Sequence, residues 1–266
     1  MDPENAKEVQ ETKDTEQKSA KGKKFEWTEK TMEVIVAVFL AITALLTAWA
    51  SWIGSLHGGN QATNYTKSNN LSAEGNSMYN EGAQNYMQDL ALWSDITDLQ
   101  LEVQYAKEHN DNEAAELASY KLYYRCSDNL TEDMAAAIGW DFDAAASASN
   151  PTKYIDEWLA KEEATTSPFT DEFVNGYYAA AQDMIAESDK LLEEGQQDNK
   201  NGDTFNLVVV FYSVVLFLLG IAGTFKNLPN RKVVIIASLV IFALSTVYMF
   251  FIPMPTGFSL LSFFVH

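Results

Sequence analysis

Residues 34–53, VIVAVFLAITALLTAWASWI, hold no Asp, Glu, Lys or Arg. A bilayer core is about 30 Å thick, and a helix needs roughly 20 apolar residues to cross it. Residues 205–225, FNLVVVFYSVVLFLLGIAGTF, and 233–252, VVIIASLVIFALSTVYMFFI, meet the same requirement and are equally free of charge. One such run could hide in a soluble core; three with charged borders predict membrane insertion. Strand-type alternation is absent, so the expected fold class is an all-α membrane protein with three transmembrane helices.

Around these tracts the charge is segregated. The chain of 266 residues has a formal net charge of −19. Residues 54–204 carry 28 acidic and 8 basic side chains, a net of −20. Short loops rich in Lys and Arg stay in the cytoplasm. Lys18, Lys21, Lys23, Lys24 and Lys30 precede the first tract, and Lys226, Arg231 and Lys232 lie between the second and third. Three crossings put both basic regions on one side. The expectation is a multi-pass protein of the plasma membrane, with a cytoplasmic N-terminus and residues 54–204 extracytoplasmic. Asn64, Asn70 and Asn129 stand in N-x-S/T triplets within that segment and are candidate glycosylation sites. A cleaved signal peptide ending at Ala48-Trp49-Ala50 is the rival reading of the first tract. The long leading segment with nine acids, and Trp49 and Trp52 as interfacial aromatics, favour an uncleaved anchor.

The expected organisation follows: a disordered cytoplasmic tail at 1–30, transmembrane helices at 31–53, 205–225 and 233–252, an acidic helical domain at 54–204, a basic cytoplasmic loop at 226–232, and an apolar interfacial tail at 253–266. Residues 1–25 are too polar to bury a core. The tail is carried by Phe258, Leu260, Leu261, Phe263, Phe264 and Val265. No proline interrupts 34–150, so one helix is expected from the first tract to near Asn110, with Gly58-Gly59 and the Asn-rich 60–76 stretch as its weakest points. Shorter helices are expected over 112–126, over the Ala-rich 132–148, and from Asn150-Pro151 to 163. Ser167-Pro168 marks a turn. After it, Phe173, Tyr177, Ala181, Met184, Ser188, Leu191 and Gly195 recur at helical spacing and lead back to the second tract. The acidic domain is therefore read as a coiled-coil-like helical hairpin with small helices at its tip.

Within the first tract, Ala37, Ala41, Ala44, Ala48, Ser51 and Ser55 form a seam of small residues at alternating steps of four and three. Small side chains let helix backbones approach closely in lipid, so this seam predicts a homo-oligomer.

Chemistry is sparse. Nucleotide-binding glycine motifs, the H-E-x-x-H zinc motif and the G-x-S-x-G nucleophile elbow are absent. His57, His109 and His266 are far apart, so no metal, cofactor or catalytic residue is assigned and no enzyme is expected. Cys126 is the one cysteine, so no internal disulfide forms. Acidic pairs at Glu132-Asp133, Asp141/Asp143, Asp171-Glu172 and Glu193-Glu194 attract cations but do not match a calcium loop. They disfavour nucleic acid. Tyr79, Tyr86 and Trp93, at helical spacing, read as packing residues.

Trp49 and the stretch Gly59-Asn60-Gln61-Ala62-Thr63-Asn64-Tyr65, with Ser167-Pro168-Phe169, then Gly195, Asn199 and Asp203 ahead of Leu216-Phe217 and Gly220, resemble a group of uncharacterised prokaryotic membrane proteins. In these a Trp-x-Gly-x-Gln-x-x-x-Tyr-like tract follows the first membrane helix. His57 stands where they often have Trp. The resemblance covers most of 33–253; it implies three membrane helices and a helical outer loop, and no activity. Two functions are weighed. The first is a self-associating structural or interaction protein of the cell envelope, anchored in the bilayer. The alternative is an oligomeric cation channel with an acidic vestibule, lined by Thr43 and Thr47.

Overall fold

The computed structural model describes residues 28–227 and 229–258. The tail expected at residues 1–25 and the apolar residues Leu260, Leu261, Phe263, Phe264 and Val265 lie outside the described residues. Every regular element among those described is a helix. In order they are α1 (Glu29–Glu108), α2 (Asn112–Asn129), α3 (Glu132–Ala137), α4 (Phe142–Ser147), α5 (Pro151–Leu159), α6 (Glu162–Thr165), α7 (Asp171–Gly176), α8 (Ala179–Thr224) and α9 (Arg231–Phe250). Helices α1, α8 and α9 are each long and apolar enough to cross a membrane, in keeping with a membrane protein.

Helix α1 runs unbroken for 80 residues through both Gly58-Gly59 and the Asn-rich stretch. It ends where Asn110 takes a left-handed conformation (φ 59°), which Asn tolerates better than most side chains. The described residues divide into two compact units, one of residues 28–60 with those described from 197 onward and one of residues 61–196.

The first unit is built on a seven-residue period in α1. Val36, Thr43, Ala50 and His57 recur every seventh position and all are buried. One apolar cluster joins Met32 and Val36 to Val215, Leu219, Ala222 and Ile235; another joins Ala50 and Ile53 to Phe205, Val208, Tyr212, Met249 and Ile252. Outside these clusters, Val38, Leu45, Val210, Phe217, Leu244 and Phe250 are exposed, an apolar surface suited to lipid. The hydroxyls of Ser213, Ser238, Ser245 and Thr246 donate to the carbonyl four residues back on their own helix. These bonds satisfy the hydroxyls within their own helices, and Thr246 also meets the Tyr212 hydroxyl of α8 at 3.0 Å. The helix ends are tied by ion pairs, Lys226 Nζ to Glu33 at 2.5 Å and Arg231 Nη1 to Glu29 at 2.7 Å.

The second unit has a core around Leu92, Ile96, Leu122, Cys126, Met134, Ile138, Ile155 and Trp158. Its short helices start on side-chain caps: Asp111 accepts from Ala114 N, Thr131 from Met134 N, Asp141 from Ala144 N, and Asn150 from Thr152 N and Lys153 N ahead of Pro151. Several acidic residues thus have local structural work. Asp141 is a cap, while Glu132, Asp133, Asp171 and Glu172 sit in first turns, where negative charge favours the helix dipole. Trp158 Nε1 donates to the Ile138 carbonyl (2.9 Å), and the Tyr123 hydroxyl to that of Ala145 (2.5 Å), so the large aromatics bury no unmet donor at those points. Burial pushes the Cys126 thiol up to about 12, which leaves it an inert packing residue.

Candidate functional site

In the second unit, α1 and α8 approach each other backbone to backbone. Ser68 and Ser188 exchange hydroxyl contacts at 3.1 Å, and Ser188 Oγ donates to the Ser68 carbonyl at 2.8 Å. Tyr65 lies on Gly195, with 2.6 Å between its ring and the place a Cβ would occupy. Gly75 faces Ala181 and Ile185, and a Cβ on Gly82 would collide with the Tyr177 carbonyl oxygen. Positions rising along α1 meet positions falling toward Tyr177, so the two segments run antiparallel. Ser68, Gly75, Gly82, Asp89, Ile96 and Val103, all buried, recur every seven residues. This line has a different phase from the one expected through Tyr79, Tyr86 and Trp93. The signal was the regular return of a small residue at Ser68, Gly75 and Gly82.

Where the small residues end, a cleft of about 1240 Å³ opens. Its α1 wall carries Glu81 and Asp89, α3 supplies Asp133, α6 supplies Glu162 and Glu163, and α7 supplies Glu172. Phe173 and Tyr177 add aromatic surface, and the described lining contains no Lys, Arg or His. Asp89 is 6% exposed and accepts a 2.6 Å hydrogen bond from the Tyr177 hydroxyl. Burial first, and then the Asp89 carboxylate, hold the Tyr177 phenol well above its ordinary range. The phenol therefore stays a donor, and the cleft keeps its negative character. Among the described residues no group of three His, Cys, Asp or Glu side chains is arranged to hold a metal ion. The carboxylates are spread over a wide mouth, an arrangement that raises the local concentration of cations.

Tyr79, Tyr86 and Trp93 of α1 each contact neighbouring side chains. Tyr79 lies tilted against Tyr178 (4.8 Å), Tyr86 meets Phe169 and Tyr177 edge-on (5.6 and 5.8 Å), and Trp93 lies in the core.

In the first unit, Ala37, Ala41, Ala44, Ala48, Ser51 and Ser55 are all exposed. At 3.6 residues per turn they turn away from Val36, Ala50 and Ile53, which α1 uses against α8 and α9. Thr43 is fully buried within the unit. The half-buried Thr47 donates its hydroxyl to the Thr43 carbonyl at 2.7 Å. The seam and the two threonines therefore occupy different faces. His57, unremarked as a site in the sequence, is also fully buried; it contacts Asp198 and the Pro253 carbonyl. Of the three N-x-S/T asparagines, Asn64 and Asn70 lie on α1 and Asn129 ends α2; Asn70 and Asn129 are exposed and Asn64 is half-buried against Gly195.

Comparison with protein-family models, curated proteins and solved structures finds no match.

Proposed function

We propose that this chain is a self-associating, non-enzymatic anchor of the cell envelope that presents an acidic helical domain outside the plasma membrane. Its N-terminus and the 226–232 loop face the cytoplasm, where Lys226, Arg231 and Lys232 obey the charge bias of membrane insertion. Residues 54–204 form the coiled-coil-like hairpin on the outer side, and their net negative charge recruits cations or basic surfaces of partner proteins.

One observation carries the self-association. All six seam residues are exposed, turned away from the face of α1 spent on its own unit. Lipid contact favours bulky aliphatic side chains no less than small ones, whereas close helix approach requires small ones. The channel alternative lacks comparable support: Thr43 is buried inside one copy, and the Thr47 hydroxyl is spent on its own helix.

Oxidative cross-linking in native membranes tests the reading, with cysteine introduced singly at seam and buried positions. Ser51→Cys should give a disulfide-linked dimer between copies, and Ala50→Cys, buried within its own unit, should not. Equal cross-linking at both positions, or none at Ser51, would reject the seam.

A further inference from the structure

The cleft of the second unit holds an unmet acceptor. Asp89 stands in its wall and is 6% exposed. Its Oδ2 accepts the 2.6 Å bond from the Tyr177 hydroxyl, and among the described residues no donor or cation meets Oδ1. That oxygen is not one of the unpartnered side-chain atoms sealed from solvent, so it is reached from the cleft. A buried carboxylate is costly unless further donors or a cation meet it.

The unit's own cations are spent elsewhere. Lys107 pairs with Asp156, Lys121 with Glu102, Arg125 with Asp95 and Lys153 with Glu157, all outside the lining. Lys161 Nζ donates to the Gly139 carbonyl at 3.1 Å. Among the described residues, Glu81, Asp133, Glu162, Glu163 and Glu172 around the opening are in no ion pair.

From this we propose that the cleft binds a linear polyamine, a chain of ammonium groups joined by methylenes, with one ammonium on Asp89 Oδ1 and the others on the carboxylates around the opening. Three features select this class. Among the described residues no three acids are grouped as a bare metal ion needs. Met78, Ala136, Pro168 and Phe173 give the methylenes apolar surface. Only a slender chain brings charge to a side chain as enclosed as Asp89, whereas a folded protein surface stops at the mouth. The proposal rests on the reading that the acidic domain recruits cations, and is independent of the seam on α1.

The test is calorimetric titration of spermidine into the full-length protein in detergent at about 0.15 M salt, where diffuse attraction is largely screened. Binding should saturate at a single site per chain, and n-butylamine, with one ammonium, should bind far more weakly. Asp89→Asn keeps an oxygen for the Tyr177 hydroxyl and should weaken spermidine about tenfold or more. Glu81→Gln with Glu172→Gln, both exposed, should weaken it as well, which keeps the test valid should the Asp89 variant misfold. Glu116→Gln, an exposed acid on α2 outside the lining, should change nothing. Unsaturating uptake that every variant lowers alike would overturn the site and leave the cation-recruiting reading standing; no uptake of spermidine or Mg²⁺ would overturn both. Displacement of spermidine by an equal concentration of Mg²⁺, or tighter binding of trilysine, would overturn the polyamine assignment.

Discussion

Two pairs of glycines on the same helix behave as opposites. Gly58 and Gly59 are exposed, and nothing lies within 4 Å of the place where a Cβ would stand. Gly75 and Gly82 are buried where α1 meets the chain around Tyr177 to Ile185, and a Cβ there would enter occupied space. The first pair weakens the helix and leaves its Cβ positions open; the second gives up helix propensity for backbone contact. The cost of a mid-helix glycine, about 1 kcal/mol relative to alanine, is the same in both places. What differs is the neighbour across the interface, which a single sequence does not name.

Substitutions can break this contrast. The largest effect is expected for Gly82→Ala, because the obstacle is a backbone oxygen that cannot rotate away. It should destabilise the second unit by about 3 kcal/mol, at the upper end for an overpacked site, read as a lowered thermal midpoint of the full-length protein in detergent. Next comes Tyr177→Phe, which removes the donor to buried Asp89 and should cost about 1 kcal/mol, reduced from a fully buried charged bond because Tyr177 is half-exposed. Its pH dependence has a definite sign. The folded phenol is held above its ordinary value, so its contribution is complete below about pH 10 and is lost as pH rises beyond. Wild-type protein should lose stability in that alkaline range, and Tyr177→Phe should lose less. The smallest effect, and the only gain, is expected for Gly58→Ala, about 0.5–1 kcal/mol of added stability in the same melt. A loss there as large as that for Gly82→Ala would end the comparison.

The extent of the helices was legible because it depends on local patterning. Uncharged tracts, the proline-free stretch to Asn110 and the Asn150-Pro151 start all act within a few residues of themselves, and α1, α5, α8 and α9 follow them closely. Partner choice was not legible. The seam at Ala37 to Ser55 and the buried line at Val36, Thr43, Ala50 and His57 are both regular, and one step along the sequence separates them. Apolar and small residues serve lipid, neighbouring helix and second copy alike, so pattern alone does not say which face is spent inside the chain. The acidic cleft was hidden for a related reason. Its carboxylates come from α1, α3, α6 and α7, and only the return of the chain from Thr166 to Tyr177 brings them around one opening. His57 and Asp198, 141 residues apart, show no mutual signal in sequence.

The central claim is that the outward small-residue face of α1 joins copies of this chain. The most direct measurement is the mass of the purified full-length protein in mild detergent, by light scattering with the detergent contribution subtracted, for wild type and for Ala44→Leu with Ala48→Leu. The account predicts a discrete wild-type oligomer and a shift to monomer in the double variant, with the helical signal unchanged. A wild-type monomer at every concentration, or an oligomer indifferent to the two leucines, would contradict it.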